Sequence, residues 1–250
     1  MPIKLSFVVP AHNEQAFLAR NLRAIIAEIT RSNCDAEIIV VDNASTDSTR
    51  DVVKSFPDVR VVDEPVKGLV RARAAGFQAS TGALVANIDA DTVLPEGWID
   101  TVLRAFADDP DLVAISGPYI YYDVPTYTSV FVRLFYYAGF VAYLLNRFVL
   151  RAGSMLQGGN FVLKRDALNE IGGFNPDFEF YGEDTDLARR LSAVGKVRFT
   201  FSLPAFSSGR RLLGEGVVRM GIRYAMNFFW ATFVKRPFTS TWIDVRDRRV

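Results

Sequence analysis

Cysteine and histidine are almost missing from this 250-residue chain, with Cys34 and His12 the only examples. A lone cysteine excludes a disulfide framework and a cysteine-based zinc site, and it fits a reducing cytosol. Cys34 reads as a small structural residue near a helix end. Internal repeats and charged low-complexity tails are absent as well. The loop after the first predicted strand, Pro10-Ala11-His12-Asn13-Glu14, contains no glycine. That argues against the Gly-x-Gly-x-x-Gly turn of a dinucleotide-dependent oxidoreductase and the glycine-rich phosphate loop of a sugar nucleotidyltransferase. The chain runs straight into Leu5-Ser6-Phe7-Val8-Val9-Pro10, too short and too early broken for a signal peptide. In the aromatic stretch Thr128–Leu150 the uncharged core, Leu134–Asn146, falls short of the roughly 20 apolar residues that a bilayer span needs.

Charge of either sign is scarce in the sum and abundant in its distribution. The net charge is +1. Residues 1–195 carry 18 Lys and Arg against 25 Asp and Glu, whereas residues 196–250 carry 11 against 3. The two parts are therefore −7 and +8. A basic, aromatic end suits anionic lipid or a phosphate-bearing substrate. No recognisable nucleic-acid module accompanies it, so nucleic acid is not an expected partner.

What is present is an alternation of apolar strands and amphipathic helices. Strands are predicted at Leu5–Val9, Glu37–Val41, Val59–Val62, Ala83–Ile88 and Leu112–Ser116. Helices fall between them, at Glu14–Thr30, from the Ser45-Thr46-Asp47 caps to about Ser55, at Gly68–Ser80, and from Pro95 to Ala107. Single helices between strands require a mostly parallel sheet with right-handed crossovers. In this register Pro10–Glu14, Asp42–Ser45, Lys67–Arg71 and Asp89–Asp91 all fall where strands end. They converge on the rim where open α/β sheets bind ligands.

Asp89 and Asp91 close the apolar run Ala83–Ile88. Their hard oxygen donors suit Mg²⁺ or Mn²⁺ bridging to a diphosphate. Asp42 can accept from a base edge that presents a donor, as uracil and guanine do, or it can begin the turn that caps the next helix. Lys67 and Arg71, at the start of a helix, can meet a diphosphate, while Arg73 reads as a solvated surface charge. Glu183-Asp184 opens a helix after Phe180-Tyr181-Gly182, where a carboxylate is either a cap or a reactive base. Gly158-Gly159-Asn160 lets backbone pass close to a ligand or makes a bare turn. Gly216–Arg236 places Arg219, Arg223 and Asn227 at helical spacing opposite Ile222, Met226, Phe229, Trp230 and Phe233. This segment and Thr128–Leu150 either lie in a membrane interface or pack on the sheet.

Four ordered elements resemble the family 2 glycosyltransferases of the GT-A fold: Val8–Glu14, Val40–Asp47, Asp89-Ala90-Asp91 and Glu183–Leu187. Gly158–Phe161 and Gly172-Gly173-Phe174 lie between them in the family's order, and the likeness covers about residues 4–200. The resemblance implies a GT-A domain over 1–200, with a nucleotide-sugar half at about 1–116 and an acceptor half at about 117–200. A basic aromatic helical extension would occupy 201–250. It implies donor binding by Pro10, Ala11, Glu14, Asp42, Lys67, Arg71, Asp89 and Asp91, with Arg71 favoured over Lys67. Asp91 and Asp89 would hold the divalent ion, without the late histidine that many relatives supply. Asp184 would be the general base of an inverting transfer. Gly159, Asn160, Glu183, Arg210 and Arg211 would lie on the acceptor or sugar side.

The Gln-x-x-Arg-Trp element of processive synthases is absent, which points to transfer of single sugars. The expected donor is a UDP-sugar, with GDP-mannose the alternative. The expected acceptor is a glycan or lipid-linked hydroxyl, at the cytoplasm or the inner face of its membrane. A non-catalytic nucleotide-sugar-binding or membrane-peripheral module is the other reading.

Overall fold

The computed structural model describes residues 4–146 and 154–239. Arg147, at the end of the first aromatic stretch, and residues 240–250 of the basic end lie outside them. The predicted alternation is present as β1 (Leu5–Ala11), α1 (Leu18–Ser32), β2 (Ala36–Asp42), α2 (Thr49–Lys54), β3 (Val59–Asp63), α3 (Leu69–Ala79), β4 (Leu84–Ile88), α4 (Trp98–Asp108) and β5 (Leu112–Ser116). These are followed by β6 (Tyr119–Tyr121), α5 (Thr126–Leu145), β7 (Asn160–Lys164), α6 (Arg165–Glu170), α7 (Glu183–Leu191), β8 (Lys196–Phe199), β9 (Ala205–Ser207), α8 (Arg210–Glu215) and α9 (Val217–Phe229). A π-helical turn, Trp230–Val234, continues α9.

Seven strands form one sheet in the order β3-β2-β1-β4-β7-β5-β8. The sheet is parallel except at β7, which runs antiparallel to both β4 and β5. β1, β2 and β4 are fully or largely buried, because helices cover both faces. Phe7, Val9, Ile25, Ile88, Trp98 and Ile99 belong to the core on one face, and Val8, Ile39, Val41, Phe161 and Leu187 to that on the other. Ala11 pairs with Asp42, and Asp42 with Asp63. The carboxyl ends of β1, β2 and β3 are thereby level on one rim.

Helix α5 corrects one expectation. It is 20 residues long and includes Arg133, so by length and composition it is apolar enough to cross a membrane. The shorter estimate began counting after Arg133, but a single arginine does not interrupt helical hydrogen bonding. Only one edge of α5 is packed. Tyr136 stacks on Phe199, and Phe140 meets Tyr143, Phe199 and Phe201. Leu134, Val141 and Leu145 are exposed, as are Val218, Ile222 and Phe229 of α9. β9 pairs with β6, and Leu203 and Ala205 are buried in the core, so the chain beyond residue 200 reaches the site.

Candidate active site

The Asp89-Ala90-Asp91 turn is fixed from three sides. Asn21 of α1 donates from Nδ2 to the carbonyl oxygens of Asp89 and Thr92, at 3.1 and 2.6 Å. The Asp89 amide donates to the Gly159 carbonyl at 3.1 Å. Gly159 has φ +80°, and a Cβ there would lie 2.1 Å from the Asp89 carboxyl carbon. Only glycine lets β7 begin this close to the aspartate.

Each aspartate is then met by a cation. Asp89 Oδ1 lies 3.3 Å from Arg73 Nη2, and its Oδ2 accepts from the Tyr119 hydroxyl at 3.3 Å. Asp91 Oδ2 lies 3.1 Å from Arg210 Nη2, and its Oδ1 accepts from the Ser207 hydroxyl at 3.4 Å. Arg210 also reaches Glu14 Oε1 at 2.5 Å, joining the first strand's loop to the chain's late segment.

Arg73 overturns its reading as a solvated charge. It is 1% exposed and pairs with Glu183 as well as Asp89. Burial disfavours its charge, but the two carboxylates outweigh that and raise its pKa. Arg71 and Arg73 are two residues apart, about 200° around a helix, so one must face away when the other faces in. Arg71 is the exposed one.

Glu183 and Asp184 begin α7 after Gly182. Asp184 Oδ2 accepts from the Gly158 amide at 3.1 Å, and Oδ1 from the Thr185 amide at 2.8 Å. Burial raises the Asp184 pKa against these hydrogen bonds. Glu183 is pushed up to about 7, mainly by burial, with the Asp184 carboxylate adding to it and Arg73 opposing. Its Oε2 is buried and accepts no hydrogen bond. Asp186 turns away and pairs with Arg189 and Arg190.

These groups wall a cavity of about 150 Å³ lined by Pro10, Glu14, Asp89, Asp91, Glu183 and Asp184, with Arg73, Arg210, Arg211 and Tyr119 also in its wall. A smaller cleft of about 40 Å³ adjoins it, lined by Pro10, Ala11, His12, Asn43, Lys67 and Phe180 among others. His12 Nδ1 lies 2.8 Å from the Asn43 carbonyl; a carbonyl only accepts, so this nitrogen carries the proton. Asn43 Oδ1 accepts from the Gly68 amide at 2.7 Å and holds the start of α3.

The remaining expected residues lie outside both cavities. Asp42 accepts from the Ser45 amide at 3.2 Å and lies 3.7 Å from Arg50. Asn160 is fully buried, donating to the carbonyls of Gly117 and Leu203 and accepting from Trp98 Nε1. It clips loops to the sheet rather than lining the cavity. Sequence reading misassigned Arg73 and passed over Tyr119, Gln157 and Tyr224, which also line the cavity and carry no motif of their own.

A family model described as glycosyl transferase family 2 matches residues 6–172, and one described as the N-terminal domain of galactosyltransferase matches residues 148–208. A Bacillus subtilis protein named "Probable glycosyltransferase YdaM" is 26% identical over 213 residues, covering 78% of this chain. The chain spans 48% of that relative's length. A solved mannosyltransferase, PcManGT from Pyrobaculum calidifontis in complex with GDP-Man and Mn²⁺, superposes with a TM-score of 0.67 at 20% identity, covering 94% of this chain and 65% of its own. S. aureus TarS 1-349 in complex with UDP-GlcNAc superposes with a TM-score of 0.60 at 15% identity, covering 82% and 58%.

Proposed function

This chain belongs to glycosyl transferase family 2 and is a glycosyltransferase with a GT-A fold, and on that premise we propose that it moves a single sugar, with inversion, from a nucleotide-diphosphate sugar to a glycan or lipid-linked hydroxyl. The observation that carries the reading is Asp184, held by two backbone amides in the same cavity as Asp89 and Asp91. Its fixed carboxylate suits a general base. The acceptor oxygen attacks the anomeric carbon, its proton passes to Asp184, and the bond to the diphosphate oxygen breaks on the opposite side. Glu183, fixed by Arg73, orients the acceptor. Pro10, Ala11, Lys67 and Asn43, the neighbour of the expected Asp42, line the smaller cleft and are assigned to the nucleoside. Arg210 and Arg211 are assigned to the diphosphate and sugar, and Glu14, which pairs with Arg210, to the ribose side of the nucleoside. A UDP-sugar is favoured, with GDP-mannose the alternative; the GDP-Man and UDP-GlcNAc complexes of the two structural neighbours support the donor class.

The donor chemistry at the turn fits a divalent ion: two carboxylates are hard oxygen donors of the kind Mg²⁺ or Mn²⁺ takes, and the ion would compete with Arg73 for Asp89 and with Arg210 for Asp91. Asp91 and Asp89 would hold it, and when bound it supplies Lewis-acid neutralisation of the departing diphosphate.

The test is a calorimetric titration with UDP, GDP and their sugar conjugates, with and without Mn²⁺. One nucleotide should bind in a metal-dependent manner, and Asp91→Ala should abolish it. Asp184→Asn should keep donor binding and lose about 10²–10⁴-fold in transfer. Transfer unchanged in that variant would remove Asp184 from the mechanism, and no binding to any nucleotide would remove the donor reading.

A further inference from the structure

An apolar groove of about 540 Å³ runs between α5 and α9 and opens into the catalytic cavity. Asp184, Gln157, Gly182, Leu212 and Tyr224 line both. Its volume lies in the ~300–1,000 Å³ range of small-molecule sites. Gln157, Thr185, Tyr136, Asn146 and Asn227 bring polar side chains to it, but apolar residues such as Phe135, Ala142, Val217 and Ala225 make up most of the lining. A free sugar would lose its water against such walls for few hydrogen bonds, so they suit hydrocarbon.

Two mid-helix glycines stand in the groove's wall. Gly139 of α5 and Gly221 of α9 both line it, and a Cβ at either would meet only side chains at ordinary contact distance, Met155 at 3.7 Å and Phe131 at 3.6 Å. Backbone crowding therefore does not require them, and glycine weakens a helix interior. Outside the groove, exposed Leu134 and Val141 on α5 and Ile222 on α9 extend the apolar surface.

We propose that the acceptor is carried on a single-chain lipid, whose hydrocarbon tail lies between α5 and α9 and whose head presents its hydroxyl to Asp184. This rests on the glycosyltransferase reading and names the acceptor class. The lipid head's oxygen bonds to the anomeric carbon, its proton goes to Asp184, and the diphosphate leaves with the electron pair of the broken bond. A groove that ends on the reacting carboxylate gives tail and hydroxyl one common path.

The test uses cis-parinaric acid, a chain probe that fluoresces when buried, with dodecyl phosphate and inorganic phosphate as competitors. Wild type and the outward-facing control Ile222→Trp should bind the probe saturably, with displacement by dodecyl phosphate and none by inorganic phosphate. Gly221→Trp, which fills the groove, should weaken probe binding about tenfold or more while leaving the calorimetric titration with nucleotide unchanged. Equal probe binding by Gly221→Trp and wild type would mean adsorption to the outer surface and would overturn the proposal. So would absence of probe binding, or a dimer that Gly221→Trp converts to monomer in sedimentation, which would make a second copy the occupant. Lost nucleotide binding with chain binding intact would strike the donor reading instead.

Discussion

A guanidinium almost without exposed surface is retained only where carboxylates surround it, and Arg73 meets Glu183 and Asp89 together. It joins the turn that follows β4 to the first turn of α7, so one side chain sets the donor aspartate against the base. Arg73→Met should cost about 3–5 kcal/mol in urea unfolding, because it leaves buried carboxylates without their partner. The double variant Arg73→Met, Glu183→Met should recover much of that stability without recovering activity. Equal losses in the single and double variants would contradict the coupling. The same cluster sets a pH dependence. Burial lifts both Glu183, to about 7, and Asp184, and the two carboxylates titrate as a pair. A protonated base accepts no proton, so kcat/KM should climb with pH, and the climb should lie above the ordinary carboxylate range because burial raises both groups. A rate already level from pH 5 upward would show that the pair ionises as ordinary carboxylates do.

Elements were legible in the sequence wherever a run was apolar and bounded, as with β1, β2, β4 and β5. The rim of loops followed directly from parallel register. β7 was not legible, because Asn160–Lys164 is short and its antiparallel course depends on its neighbours β4 and β5. Arg73 was hidden for a similar reason. Helical spacing says that Arg71 and Arg73 face apart, and only the distant Glu183 decides which one is buried. The groove between α5 and α9 is a product of packing, so the aromatic segments alone left interface and core equally open.

Contacts between elements also carry local stability. Glu28 of α1 is buried and accepts from the Gly97 and Ile99 amides at 3.1 and 3.2 Å, covering the bare first turn of α4. Burial would raise its pKa, but hydrogen bonds from Arg31 and those amides outweigh burial and hold it below the ordinary 4.5. A depressed carboxylate contributes stability above its unfolded value and loses it as pH falls through the folded one. Glu28→Gln should therefore cost about 1–3 kcal/mol near neutral pH. The deficit should shrink in acid, as thermal melts across pH would show; a constant deficit would mean that packing, not charge, is what the variant removes.

For the whole molecule, the segregation of charge and the placement of apolar surface act together. Residues 196–250 carry +8 against −7 for the rest. The same late segment supplies α9, which with α5 exposes Leu134, Val141, Ile222 and Phe229 beside the groove. A segment that is basic in sum and also supplies exposed hydrocarbon matches an anionic lipid surface in both terms, attraction at a distance and burial on contact. Flotation with vesicles should therefore require anionic lipid and weaken as salt rises, since the screening length falls from ~10 Å at 0.1 M to ~3 Å at 1 M. Leu134→Asp with Ile222→Asp should weaken flotation further at every salt concentration, because those residues act through burial. Nucleotide binding should persist in that variant, both positions lying outside the catalytic cavity. Flotation indifferent to lipid charge and salt would show that the basic end serves the diphosphate and takes no part in bringing the groove to a membrane.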